Sequence, residues 1–571
     1  MNGFDYIVLL AVLLAIPAYG IWKTRTGGSV EQYFKGDASI RWATIGLSVM
    51  ATQAGPITFL SMPGQAYENG IAFVQNYFGQ PFALIAVCAI FVPIYHRLKV
   101  YTAYEYLGQR FDQKTRLLGA FLFLIQRGLA AGITIYEPAI IISALLGWPL
   151  NLTIGLAGGL VVLYTVLGGT KIVSITQQYQ MLIILAGMAA AFFMVVHRLP
   201  ADVSFGQALS IAGGMDKLDA VNFSFDYHKR YTFWSGVLGG FFLALSYFGA
   251  DQSQVGRYLA GESPTASRFG LMFNSVVKVP LQFMILLLGA LVFVLYQFER
   301  PPLIFNQPAV QRAIERGYSE PLAAVEKQFK AVFDEKQAAI RSLLKARDAQ
   351  DQSAVVAARS AVQSLEARER ALRGEARAIL RRADPNVKNK DSDYVFLTFV
   401  LNHLPHGLVG LLVAVIFSAA MSATAATLNA LGSTTAVDFY RPLVRPDASD
   451  AHFLLATRAL TVVWGVLAIG FALFANFVES LIEAGNIIGS LFYGSILGLF
   501  LAAFFLRNVR GTSVFVAALV SQALVLILFF TTDIGYLWYN LVGCAGVLLL
   551  ATILQLTLFR AGRNEVSPAA S

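Results

Sequence analysis

The sequence predicts an all-α, polytopic membrane protein, and three observations carry that expectation. The 571 residues are 56% hydrophobic but only 13% charged, about half the charged share of an ordinary soluble domain. Apolar runs of about 20 residues, the length that crosses a bilayer core, recur along the whole chain. One of these runs, Ser48 to Asn69, is interrupted at its centre.

The elements follow in order. The first apolar run, Phe4 to Trp22, has no positive residue before it and is followed by Lys23 and Arg25. A cleaved leader has the opposite charge order, so the run reads as a retained span. Further spans are expected at 40–66, 73–96, 117–147, 150–168, 172–197, 233–255, 268–297, 396–432, 455–477, 480–506, 512–531 and 536–559, about thirteen in all. Loops expected inside carry Lys35 and Arg41, then Arg97 to Arg116, Arg257 and Arg268, Arg441 and Arg445, and Arg507 and Arg510. The short outside connections at 67–72, 148–149 and 532–535 carry no Lys or Arg. The positive-inside rule then puts the N-terminus outside and the C-terminus inside. The net charge of +9 is accounted for by these loops and does not suggest a nucleic-acid partner. Cys88 and Cys544 lie in apolar runs and read as reduced, buried, small side chains.

The span at 40–66 is the one around which the rest is arranged. Gly55-Pro56 and Pro63-Gly64 each weaken helical order, and Gln53, Thr58 and Ser61 add polar groups. Lipid tolerates no unsatisfied backbone, so a broken helix at membrane depth must line a cavity or be packed inside protein. Interrupted spans of this kind mark the binding sites of secondary transporters.

Residues 300–393 differ in kind, being rich in Ala, Arg, Glu and Gln. Val325, Phe329, Val332, Phe333, Ile340 and Leu343 recur at helical spacing, and Ala358, Leu365, Leu372 and Ile379 recur every seven residues. Asp348 to Ser353 separates the two runs with a break and a cap. The insert is expected to be an antiparallel helical hairpin outside the membrane, its charges solvated. No catalytic triad, phosphate loop or zinc-ligand spacing occurs, so an enzyme is not expected.

Several patterns converge along the chain: Ala54-Gly-Pro-Ile-Thr-Phe-Leu-Ser-Met-Pro-Gly64; Val100 to Phe111; Tyr164 to Lys171 with Thr176 and Gln180; Ser246-Tyr-Phe-Gly-Ala-Asp-Gln252; and Ala419 to Asn429 followed by Asp438-Phe-Tyr-Arg441. In this order they resemble the sodium:solute symporter family, which includes sodium–glucose, proline and sialic acid transporters. The resemblance covers most of the chain outside the insert. It implies the inverted-repeat fold of the amino-acid transporter LeuT, in a 5+5 arrangement. Residues 1–39 would then be an extra N-terminal helix and inside loop, 40–197 the first repeat and 233–506 the second, interrupted at 300–393. Residues 507–571 would hold two further helices and a short tail. The broken helices would be 40–66 and 233–255, the second breaking around Gly249-Ala-Asp251.

The resemblance also implies sites. Sodium would be held by the carbonyls of Ala51, Ala54 and Ala419 and the hydroxyl of Ser422, oxygen ligands suited to a hard cation. Ala423 stands where the family usually has a second hydroxyl, and Gln177 stands where it has an acid. At most one sodium is therefore expected, with proton coupling or a ligand shift to Thr424 left open. On the substrate side, Tyr247 matches an inner-gate tyrosine, Asn486 a substrate-binding amide and Gln53 a residue near that gate. Thr58 and Ala244 replace residues that hold sugar hydroxyls, which argues against glucose and galactose.

Arg127, Glu137 and Lys278 lie at membrane depth, where an ionisable group costs at least about 2.5 kcal/mol at a helix centre. Lys278 is expected to face the substrate, with Glu483 as its partner or as part of the outer rim. Arg127 is expected either to face the solute or to pair with an acid or carbonyl in the bundle. Glu137 is expected to be structural. The functional expectation is a sodium-coupled symporter of a small polar organic solute in a bacterial-type inner membrane. The rivals are a proton-coupled or sodium-independent transporter, a channel, or a transporter-like sensor, and the short tail after Phe559 disfavours the sensor.

Overall fold

A computed structural model describes residues 2–23, 40–98, 100–385, 387, 390–474 and 481–558. Arg25, Lys35, Lys99 and the tail from Phe559 lie outside the described residues. The described residues form helices and loops and no strand. Nine helices among them are long and apolar enough to cross a membrane, and one bent pair makes a tenth. Three shorter apolar helices, Gly3–Ala15, Leu150–Leu163 and Ser235–Gly249, occupy other expected spans. Large apolar side chains such as Phe193 and Phe530, 71% and 79% exposed, point outward, as on a surface facing lipid.

Helix α1 (Gly3–Lys23) carries the buried Asp5. The bent pair is α2 (Trp42–Gln53) and α3 (Pro56–Asn69), set at 54°. Only one of the two Gly/Pro pairs breaks it. Gly55 caps α3 and Pro56 takes its first turn, whereas Pro63 sits inside α3. Pro63-Gly64 instead allows close packing. A Cβ on Gly64 would lie 1.9 Å from the Ser392 carbonyl oxygen, and one on Gly289 would lie 2.2 Å from that of Pro63.

Next come α4 (Ile71–Leu98) and α5 (Ala103–Arg110). Helix α6 (Gln113–Leu146) is capped by Asp112, which accepts from the Thr115 amide, and is ended by the left-handed Gly147. Helix α7 (Leu150–Arg198) contains two separate apolar segments, Leu150–Leu163 and Thr176–Arg198, at the two spans expected at 150–168 and 172–197. After α8 (Phe205–Gly214), the second broken helix comprises α9 (Ser235–Gly249) and α10 (Gln252–Leu259). Helix α11 (Pro264–Phe298) starts on a Ser263 cap with proline in its first turn.

The insert holds α12 (Gln307–Glu315), α13 (Ser319–Asp348) and α14 (Gln352–Ala383). Helices α13 and α14 form a helical hairpin, and the six apolar residues expected to line it from α13 are all buried. On α14 Val362, Glu369, Ala376 and Ala383 are all buried, a second seven-residue repeat beside the one expected. Of the expected repeat, Ile379 is buried, and Ala358, Leu365 and Leu372 are half-buried. The charges are not all solvated, because Glu369 bonds Lys336 inside the seam and Arg373 at 3.3 Å. Burial pushes the Glu369 carboxyl up, but Lys336 and Arg373 more than offset this and hold it below the usual carboxylate range.

The expected span at 396–432 is two helices, α15 (Val395–His403) and α16 (Leu408–Leu443). They are separated by a turn in which Gly407 has φ +87°. Asp5 from α1 accepts from the Gly407 amide at 2.5 Å, capping α16. Helices α17 (Asp450–Phe474), α18 (Leu481–Phe505), α19 (Gly511–Thr531) and α20 (Leu537–Thr557) complete the described chain.

Candidate functional site

The first break abuts α16. A Cβ on Gly55 would meet the Ala423 Cβ at 3.4 Å. Ser422 is buried, and its Oγ has no hydrogen-bond partner. Gln177 on α7 joins the two helices: its Nε2 donates to Thr52 Oγ1 at 3.1 Å and to the Ser422 carbonyl at 3.4 Å. Its Oε1 accepts from Ser48 Oγ at 2.5 Å. Ala51, Ala54 and Ala419 are buried beside this junction. Thr424 donates its hydroxyl to Thr134 on α6 at 3.0 Å, which leaves its oxygen lone pairs free for a cation.

The second break is held differently. Three tyrosine hydroxyls bond the carbonyls at the end of α9: Tyr258 to Phe248 at 3.0 Å, Tyr95 to Gly249 at 2.7 Å and Tyr104 to Ala250 at 2.9 Å. Asp251 caps α10 by accepting from the Ser253 amide at 2.9 Å. The orphan groups of both helix ends are thus satisfied inside the protein, as a break at membrane depth requires.

Between the two breaks lies a cavity of about 190 Å³. It takes Thr52, Gln53, Thr58, Tyr247 and Asn486, and also Asn76, Gln80, Gln126, Arg127 and Tyr493. Four of the five expected substrate residues therefore come together. Gln53 Nε2 donates to Gln80 Oε1 at 3.0 Å. The Arg127 guanidinium lies 5.1 Å over the Tyr247 ring, and its Nε bonds Asp251 at 2.5 Å. Arg127 Nη2 is buried without a hydrogen-bond partner, as are Asn76 Oδ1, Gln80 Nε2 and Gln126 Oε1. These unmet donors and acceptors suit a polar occupant.

Lys278 is placed elsewhere. It is fully buried on α11 and does not line the cavity. Its Nζ lies 5.9 Å from the ring of Tyr77, which does, and has no hydrogen-bond partner. Glu483 is not its counter-ion, because that carboxylate bonds Arg230 at 2.8 Å. Arg230 is more than half exposed, so the pair sits at a rim, the alternative left open for Glu483. Glu137 is fully buried on α6.

Asn76, Gln80, Gln126 and Tyr493 are not among the residues that the sequence marks for the site. Amides and a tyrosine in apolar runs carry no motif of their own, although Gln126 stands next to the Arg127 that was singled out.

A model of the family described as "Sodium:solute symporter family" matches residues 33–324 and 378–553. The unmatched stretch between them falls within the hairpin. The human sodium/iodide cotransporter is 31% identical over 279 residues, 48% of this chain and 43% of the human protein, so that match spans less than half of the relative's length. The sodium/sialic acid symporter NanT of Aliivibrio fischeri is 24% identical over 550 residues, 96% of this chain and 92% of its own. The mouse sodium-coupled monocarboxylate transporter 1 is 25% identical over 503 residues, 87% of this chain and 68% of its own. A solved sodium-coupled sialic acid symporter, substrate-bound and outward-open, superposes with a TM-score of 0.75 at 21% identity, covering 97% of this chain and 98% of that one. With the family model covering most of the sequence, the chain belongs to the sodium:solute symporter family.

Proposed function

We propose that the protein is a sodium-coupled symporter that moves a small polar organic solute across a membrane by alternating access. The observation that carries this reading is the junction of the first break with α16, where the Ser422 hydroxyl is buried and has no protein partner. Sodium bound by that hydroxyl and the carbonyls of Ala51, Ala54 and Ala419 would tie α2 to α16. It would favour the conformation in which the solute site is formed. By linkage, solute must raise sodium affinity by the same factor.

The solute site comprises Gln53, Thr58, Tyr247 and Asn486, extended to Arg127. Lys278 acts from behind Tyr77, and reaches the solute only if that ring moves. The Arg127 guanidinium, half-occupied by Asp251, favours a solute with a carboxylate, held by a charge-assisted hydrogen bond. Relatives named for monocarboxylates and for sialic acid support that class. The two five-helix repeats are assigned to 40–197 and 233–506, with the N-terminus outside, the C-terminus inside and the hairpin extracytoplasmic. The membrane is a bacterial inner membrane.

Uptake into proteoliposomes tests the reading. A panel of labelled sialic acids, monocarboxylates, amino acids and sugars is offered under an inward sodium gradient, an inward proton gradient, or neither. Accumulation of a carboxylate above its outside concentration under the sodium gradient alone is expected. Accumulation under the proton gradient alone would make the proton the coupling ion. Equilibration without accumulation would make the protein a channel or a passive carrier.

A further inference from the structure

Asp251 stands in a wall between two polar spaces. On one side is the central cavity, to which Arg127, Tyr247 and Tyr493 contribute. On the other is a chamber of about 20 Å³ lined by Gln252, Ser253, Gly256, Asn429 and Ala430, among others. That volume holds on the order of one water. The wall is the turn joining α9 to α10 together with the side chains that Asp251 gathers.

Asp251 is 1% exposed, and its two oxygens have different partners. Oδ1 accepts from the amide and hydroxyl of Ser253 at 2.9 and 2.6 Å, capping α10. Oδ2 accepts from Arg127 Nε at 2.5 Å and from Tyr493 Oη at 2.7 Å. It therefore ties α6 and α18 to the break. Gln254 Nε2 donates to Tyr247 Oη at 2.5 Å, binding α10 to the cavity floor by a second route.

The backbone of the turn is fixed, since its carbonyls are held by Tyr258, Tyr95 and Tyr104. The cluster at Oδ2 is what can part without breaking a backbone hydrogen bond. Arg127 links the wall to the central cavity. Its Nε is held by Asp251, while its Nη2 is buried and without a partner. A solute acceptor that took Nη2 would pull on the same guanidinium that Oδ2 holds.

We infer that Asp251 is a positioning residue and the latch between the two spaces. Closed, its Oδ2 joins α6, α18 and the break, and sets the Arg127 guanidinium for solute. Released, it lets α10 part from α6 and α18, so that the cavity opens into the chamber beside Ala430. The inference deepens the symport reading above and rests on it for the role of the solute.

The test uses the purified full-length protein in detergent, without solute. Ala430→Cys places a thiol in the chamber, and the native Cys88 and Cys544 are buried. The rate of maleimide labelling then reports access to the chamber. Asp251→Asn keeps an oxygen for the α10 cap but puts an amide nitrogen, which cannot accept, where Oδ2 was. Labelling in Asp251→Asn is expected to rise about tenfold, a tenfold change being the scale of one such contact, with a smaller fall in thermal midpoint than in Asp251→Ala, which loses the α10 cap as well as the pair with Arg127. Arg127→Gln is expected to do the same. The double variant should label no faster than the faster single, because the two act as one unit.

Labelling of Asp251→Asn at the parent rate overturns the latch. So does a loss of stability in Asp251→Asn as large as in Asp251→Ala, which would make the acid a helix cap and nothing more. Replacing choline chloride by sodium chloride tests the symport reading separately, since sodium should slow labelling in the parent. A parent that ignores sodium counts against symport, while faster labelling in Asp251→Asn would still establish the latch.

Discussion

Gln177 Nε2 reaches the backbone carbonyl of Ser422 at 3.4 Å while donating to Thr52 Oγ1 at 3.1 Å, so one neutral amide spans the gap between α2 and α16. An amide adds no formal charge there. Any cation at this junction relies on carbonyls and on the Ser422 hydroxyl. Ser422→Ala removes the side-chain ligand and should weaken the sodium dependence of uptake, or of thermal stability, by about tenfold or more. Unchanged sodium dependence would move the cation site elsewhere. Gln177→Glu, by adding a charge, should make the sodium response stronger, and a weaker response would show that the amide bridge itself is needed.

How much of this was legible depended on whether the signal was local. The break at Gly55-Pro56 is local, and the sequence places it to the residue. Pro63-Gly64 looks the same in the sequence, yet its role is packing, because Ser392 and Gly289 decide it from far along the chain. The membrane-depth charges were found by residue type, but not their partners. Arg127 and Asp251 are 124 positions apart, and nothing in either segment names the other. Asp251 could be read as a helix break and not as a counter-ion. Lys278 is expected on the substrate side, but it does not line the cavity, and its Nζ lies 5.9 Å from the ring of Tyr77, which does. The turn dividing α15 from α16 was available in Pro405-His-Gly407, and the length of the expected span obscured it.

The Lys278 amino group is buried without a hydrogen-bond partner. Such a group costs free energy unless something arrives to pair with it. Lys278→Met should raise the stability of the solute-free protein by about 1–3 kcal/mol, read as a higher thermal midpoint. If solute reaches Lys278 past Tyr77, the same variant should bind solute roughly tenfold or more weakly. A stabilised variant with normal affinity would make the lysine a bystander. Glu483→Gln should not rescue it, since that carboxylate serves Arg230.

The hairpin should be dispensable for transport. It carries its own apolar seam, and the family model passes over part of it. Its ties to the body include Arg341 with Asp202 at 2.9 Å and Arg359 with Asp216 at 3.3 Å. Both pairs are exposed, and such pairs are worth about 0–1 kcal/mol each; Ile340, Leu344 and Val362 also pack into the core of the body, so the deletion should lower the thermal midpoint more than it lowers uptake. Deleting 320–382 and joining the ends with a flexible linker should leave uptake largely intact. Loss of uptake in a well-folded deletion would instead point to Arg373, which the deletion removes and whose guanidinium lies 5.2 Å over the Phe305 ring that meets Tyr67 of the broken helix at 5.5 Å.

Inside the hairpin, Glu369 has a lowered pKa, so the folded state binds its proton less readily than the unfolded chain. Its stabilising contribution is therefore complete above the unfolded carboxyl value, about 4.3, and is lost as pH falls through the folded value. Hydrogen-exchange protection of α13 and α14, corrected for intrinsic rates, should drop in that acid range. Glu369→Gln should lower protection at neutral pH by about 3–5 kcal/mol, because Lys336 is left buried and unpaired. It should also abolish the acid step. Protection that still falls with the same midpoint in Glu369→Gln would assign the step to another carboxyl.

The last prediction concerns the close packing of the broken helix. A Cβ on Gly64 would lie 1.9 Å from the Ser392 carbonyl oxygen and 2.7 Å from its carbon. Both are backbone atoms, so no side chain can swing aside. Gly64→Ala must push α3 away from residues 392–394, at a cost of about 1–3 kcal/mol or more. Helix α3 also carries Thr58 of the cavity and adjoins the break that faces Ser422. The displacement should therefore lower the midpoint and weaken both sodium and solute responses together. Gly55→Ala is the control, because its Cβ would meet only Ala423 at 3.4 Å, an ordinary contact. Equal loss in the two variants would make the sensitivity one of backbone freedom at the break, and a loss confined to Gly64→Ala would assign it to the contact with Ser392.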